Sequence, residues 1–177
     1  MARKSKIKPV TIAILTGLIT IVGGISAALA LLPRMTVEVS EPADRYNIFS
    51  SSFTITNTNF IPLEHVTAML ALGHIDYGNN RMHISGSKSP EVNPEFSSPL
   101  FTDGWNDHRL SMDEKFAITL SDILDSGFGR DLTGADIAIL VRYKPWIIPW
   151  QRQKLFRFKA HKQSDGQFTW YPATVDR

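Results

Sequence analysis

Residues 9–32 (PVTIAILTGLITIVGGISAALALL) form a run of 24 positions without one charged side chain. As a helix this run would be about 36 Å long, enough to cross a hydrocarbon layer of about 30 Å with some tilt. A secretory signal has an apolar region of only about 7–15 residues, so the length favours an uncleaved signal anchor over a cleaved peptide. The small-x-small triplet Ala28-Leu29-Ala30 and the basic start, which resembles the n-region of a secretory signal, favour cleavage. Arg3, Lys4, Lys6 and Lys8 precede the run, whereas Arg34 alone follows closely before Glu38, Glu41 and Asp44. That asymmetry predicts a cytoplasmic N-terminus. The expected organisation is a basic cytoplasmic tail (1–8), a transmembrane signal anchor (9–32) and an extracytoplasmic domain (33–177), in a single-pass protein of the cell membrane.

Thr16, Thr20, Gly24 and Ala28 recur every four residues in the run, a small-residue stripe of the kind common in single spans. Beyond residue 8 the chain holds 15 basic against 17 acidic residues, so nucleic acid is not an expected partner. Cysteine is absent, which removes disulfides, thiolate zinc sites and cysteine nucleophiles.

The rest of the chain reads as short strands. Met35, Val37 and Val39 alternate with polar neighbours, and the same period of two returns at 53–57, 116–120, 137–143, 156–160 and 167–171. The Ser164-Asp165-Gly166 step predicts a tight turn between the last two strands. Residues 63–72 mix strand alternation with good helix formers; their neighbours favour a strand that continues past a bulge at Gly73 to Ile75 and Tyr77. A helical turn with Ser121 as N-cap is expected over 121–126, and a short strand over 81–85 inside the long connection 78–103. Alternating strands with no strand-helix-strand pattern predict a mainly β chain, an antiparallel immunoglobulin-like β-sandwich preceded by one transmembrane helix.

The segments 53–63, 112–120 and 135–143 with the final hairpin resemble bacterial membrane-anchored immunoglobulin-like proteins. More distantly, they are similar to the β-sandwich domains of late embryogenesis abundant proteins of the water-stress type. The resemblance covers roughly residues 35–171 as a pattern and brings no catalytic motif. It implies fold and anchoring, not activity.

No residue set points to catalysis, a cofactor or a metal site. His74 and Asp76 place two ligand types on one strand face, but no third ligand at fixed spacing joins them, so they read as solvated surface residues. Gly127-Phe-Gly129 reads as turn chemistry, not a dinucleotide loop. Arg157, Lys159 and His161 share one face of a strand as a candidate anion-binding face, although a charged solvent face that blunts a sheet edge against pairing is the favoured reading. The segment 144–150 (KPWIIPW) would either cap the core or present Trp146, Ile147, Ile148 and Trp150 outward. Strand parity, counting a fourth strand at 81–85, places 57–62 and 144–150 at the end where the first strand begins. Phe60, Ile61, Trp146, Ile147, Ile148 and Trp150 are therefore the expected membrane or partner contacts. The leading expectation is a non-enzymatic binding or structural protein of the envelope, meeting the membrane through 9–32 and another envelope protein or phospholipid headgroups through its domain. A carrier or chaperone for an apolar ligand is one alternative, and a metal-dependent hydrolase built around His74 and Asp76 is another.

Overall fold

The computed structural model describes residues 34–83, 96, 99–100, 102–124 and 132–174. The chain divides into two units, residues 1–32 and 33–177, and the description concerns the second. The expected span at 9–32 lies outside the described residues. Among those described, no helix is long and apolar enough to cross a membrane.

Nine strands follow one another: β1 Met35–Val39, β2 Ser52–Asn57, β3 Leu63–Tyr77, β4 Asn80–His83, β5 His108–Leu110, β6 Lys115–Thr119, β7 Leu132–Pro145, β8 Arg152–Lys162 and β9 Phe168–Ala173. They build two antiparallel sheets, β1-β2-β6 and β4-β3-β7-β8-β9, with β5 also paired to β3. The alternation at 35–39, 53–57 and 116–118 has a direct cause in the small sheet: Met35, Phe53, Ile55, Phe116 and Ile118 point inward. Their polar neighbours face outward. These side chains meet Leu70, Ile137, Ile139 and Phe158 of the large sheet in one core, a sandwich-like arrangement. Phe53 joins the two layers, its ring edge-to-face with Phe158 at 4.9 Å and with Trp170 at 5.5 Å.

A second apolar cluster lies on the other face of the large sheet, where Met69, Ala71, Ala138 and Leu140 pack with Phe96 and Leu155. β3 and β7 are thus covered on both faces along their middles, which explains why residues 66–72 and 137–141 are nearly continuous apolar runs.

Several elements depart from expectation. β7 and β8 extend well beyond 137–143 and 156–160, because their ends carry polar residues that pair in register. β5 had no periodic signal, being three residues long. The turn after β6 is a 3-10 helix over Leu120–Asp122 capped by Thr119, not a turn capped by Ser121. Residues 63–77 are a strand throughout, with a register shift between Leu72 and His74 at Gly73. An added Cβ at Gly73 would stand 3.1 Å from the Phe96 ring and 3.2 Å from the Asp136 carbonyl oxygen. The fourth strand is Asn80–His83; positions 84 and 85 of the expected one lie outside the described residues. The hairpin between β8 and β9 turns at Gly166 with φ 84°, a left-handed conformation suited to glycine.

Candidate functional site

Two places concentrate the residues singled out above. The first is the end of the sandwich where β1 begins. Asn57 pairs with Met35, Thr56 with Lys115 and Leu63 with Pro145, so the β2–β3, β5–β6 and β7–β8 connections all lie at this end. Backbone bonds tie them together. Trp146 N donates to the Pro62 carbonyl at 3.0 Å, Asp113 N to the Asn57 carbonyl at 2.9 Å and Thr58 N to the Arg34 carbonyl at 3.0 Å.

Asn57 is the hub. Its side chain is fully buried, donates through Nδ2 to the carbonyls of Ile61 (2.9 Å) and Leu110 (3.0 Å), and accepts from Asn59 N at 3.1 Å. Buried polar groups need such partners, and these bonds fix two of the three connections against each other.

Each connection carries large apolar side chains in solvent. Phe60 stands in the first, Met112 in the second, and Trp146, Ile147 and Trp150 in the third, with Trp146 64% and Trp150 59% exposed. The prolines account for the last group. Pro145 ends β7 opposite Leu63, Ile148 N closes a turn onto the Pro145 carbonyl at 3.0 Å, and Pro149 has no N–H to continue a ladder. The segment therefore stands beyond the sheet. It does not cap the core, and Ile148 is half-buried. Ile61 corrects the expectation for the first connection: it is 3% exposed and belongs to the interior. Met112 was missed because it lies at the end of a long connection without periodic signal, and the β2–β6 register, Thr56 against Lys115, is what sets it beside the other tips. Arg34, Lys115 and Lys154 are exposed at the same end, with Lys154 Nζ donating to the Met35 carbonyl at 3.2 Å.

The second place lies on the outer face of the large sheet. Asp136 in β7 is 1% exposed and receives both Nε (3.0 Å) and Nη2 (2.6 Å) of Arg157 from β8. Lys159 Nζ lies 3.9 Å and His74 Nδ1 3.7 Å from the same carboxylate. Asp76 binds Arg81 of β4 in the same forked way, at 2.7 and 3.2 Å, and lies 3.6 Å from His74 Nε2. The expected anion face is thus not an open stripe. Arg157 turns to Asp136, Lys159 stands at the rim, and His161 is exposed beside Tyr171 with rings 5.6 Å apart. His74 and Asp76, expected in solvent, are mostly buried with side chains only 15% and 16% exposed. They join the basic residues through Asp136, which sequence reasoning missed. The available signal was a lone carboxylate inside an apolar strand, which demands a partner.

The Arg81 hydrogen bond holds the Asp76 carboxyl below the ordinary carboxylate range, with His74 adding to the effect and burial opposing it. A depressed folded-state pKa gives stability that is present above the unfolded value and lost as pH falls through the folded one. In Arg81→Gln the Asp76 titration is expected to move up toward the usual value of about 3.9, read by carboxyl carbon NMR. An unmoved midpoint would assign the depression to another group.

Among the described residues, no group of three or more His, Asp or Glu side chains is placed to hold a metal ion. The carboxylates of this cluster are engaged by guanidinium groups. Comparison with known proteins gives no match: no family model fits the chain, and no curated protein or solved structure matches it significantly.

Proposed function

We propose that this chain is a non-enzymatic, single-span protein of the cell envelope: residues 9–32 anchor it, the N-terminus is cytoplasmic, and an immunoglobulin-like sandwich stands outside. In this reading the apolar end of the sandwich is a second contact with the membrane interface, beside the anchor. One observation carries it: Phe60, Met112, Trp146, Ile147 and Trp150 are exposed together at the end where β1 begins. Only Pro33 and Arg34 separate β1 from the uncharged run, a reach of about 7 Å. Tryptophan is favoured at the lipid interface, where its ring is buried and its N–H stays hydrated. Solvent-facing tryptophans grouped with other apolar tips have no such compensation in water. Arg34, Lys115 and Lys154 at this end stand beside exposed Asp113 and Glu114, so the apolar tips and not net charge carry the contact.

Residues 33–177 form a compact unit with its own core, and they are expected to bind phosphatidylglycerol vesicles weakly in a flotation assay. Changing Trp146 and Trp150 together to Ser should abolish this binding. Each ring offers about 150–250 Å² of surface, so half-burying both removes about 200 Å² from water, about 5 kcal/mol. Thermal stability should stay nearly unchanged, because neither ring contributes to the core. No vesicle binding by the parent, with loss of stability in the variant, would overturn the membrane contact.

A further inference from the structure

The charged cluster on the outer sheet face encloses a pocket of about 290 Å³, walled by Arg81 on one side, Arg157 and Lys159 on the other, and Phe96. We infer that this pocket is a binding site for the phosphate group of a small polar phosphate monoester, with Lys159 and Arg81 as its direct ligands.

Arg81, Arg157 and Lys159 face Asp76 and Asp136, so one positive charge is left over before either nearby imidazole is protonated. The geometry assigns that surplus. Each guanidinium is held by a carboxylate through a two-point fork, whereas the Lys159 ammonium is 3.9 Å from Asp136 Oδ2, beyond hydrogen-bond distance. Its three donors form no hydrogen bond among the described residues, and its side chain is 38% exposed at the pocket rim. An anion entering here meets a charge already in place and loses little side-chain entropy in fixing the two arginines.

The donor arrangement selects the anion. A planar carboxylate is best recognised by a guanidinium fork, and both forks are already occupied by Asp76 and Asp136. What remains is an ammonium from β8 and the outer edge of Arg81 from β4, approaching from different sides. Separate donors of this kind suit a tetrahedral group with three equivalent oxygens, and a lysine serves such a group as a point charge. Phe96 stacks against Arg157 at 5.3 Å from its ring centre and shields this side from water.

Arg81 is also the wall of a second hollow of about 440 Å³, lined by Asn79, Asn80, Thr133 and His161 together with Gly78 and Asp76, whose carboxylate is held by Arg81. The side chains that line it are all polar. A phosphate seated against Lys159 would leave its ester group pointing past Arg81 into amide, hydroxyl and imidazole groups, which fits a hydroxylated body and not an acyl chain. The site is separate from the apolar end of the sandwich, so either reading stands if the other fails.

Titration calorimetry of the full chain in micelles of an uncharged detergent tests the site, with inorganic phosphate as probe at constant ionic strength. Saturable binding is expected, at least about tenfold weaker for acetate and for Lys159→Gln or Arg81→Gln protein, since loss of one charged ligand typically costs that much. Lys159 and Arg81 are partly exposed, so both variants should fold, as their unfolding temperatures will show. Displacement of phosphate by glycerol phosphate would identify a free small molecule as the ligand source. Lys159-dependent binding seen only with phosphatidate in the micelles would overturn the small polar monoester in favour of a lipid headgroup. No saturable phosphate binding, or equal affinity in the parent and both variants, would overturn the proposal.

Discussion

Arg157→Ala is expected to destabilise the sandwich by about 3–5 kcal/mol, because it leaves a buried carboxylate without its counter-ion. Asp136 is 1% exposed, and its two short hydrogen bonds both come from the Arg157 guanidinium. The other cationic or potentially cationic groups near it, Lys159 at 3.9 Å and His74 at 3.7 Å, are too distant to replace them without movement. Arg157→Lys should recover little, since an ammonium cannot reproduce the fork. Adding Asp136→Asn to Arg157→Ala should recover part of the loss, because a neutral amide costs less to bury than a lone charge. Urea unfolding of residues 33–177 measures all four proteins. A loss below about 1 kcal/mol for Arg157→Ala would mean that water reaches Asp136 and that the pair is a surface one.

The same pair shows where sequence reading stops. Strands with one wet face announced themselves: in Met35–Val39 the inward Met35, Val37 and Val39 alternate with outward Thr36 and Glu38. β7 is buried on both faces through its middle, so the period of two read at 137–143 marks a strand but not which face is wet, and Asp136, just before it, had no face assigned to it. Only the register, which sets Asp136 against Lys159 and Ala138 against Arg157, shows how the diagonal pair meets. Register is a tertiary property. It depends on where the hairpin turns, and the seven polar or charged positions along Arg152–Lys162 admit more than one alignment.

The placing of the apolar loops rested on a strand count that omitted β5, which should have reversed the parity. It did not, because β4 and β5 both run antiparallel to β3 and pair with its same edge at different heights. Together they make one descending pass interrupted by the long connection. The end shared by 57–62 and 146–150 follows from that single pass. Exposure within the loops was not legible: Phe60 and Ile61 are adjacent and both apolar, and only the inward turn at Asn57 decides that Ile61 is the buried one.

That inward turn yields the other large effect. Asn57→Ala is expected to cost about 3 kcal/mol or more, since it strands two carbonyls and one amide at a position with no access to water, each at about 1–3 kcal/mol if left unpaired. Asn57→Asp should cost more still: a carboxylate keeps the bond from Asn59 N but faces the carbonyls of Ile61 and Leu110 with no proton to give. Its protonated form can donate to one of them, so the folded-state pKa of the introduced acid must rise above the unfolded value of about 3.9. The stabilising contribution is then present below that value and lost as pH rises through the folded pKa, the reverse of the behaviour of Asp76. Unfolding of Asn57→Asp and Asn57→Ala across the acid range measures the difference, which should narrow as pH falls; a gap independent of pH would mean that water has entered. Vesicle flotation separates structure from contact at the same end. Asn57→Ala retains Trp146 and Trp150 yet unfastens the β2–β3 connection from Leu110, so it should weaken binding together with stability. The double Trp variant should lose binding alone, because the rings touch lipid in the proposed complex while Asn57 only sets the loops that carry the apolar tips.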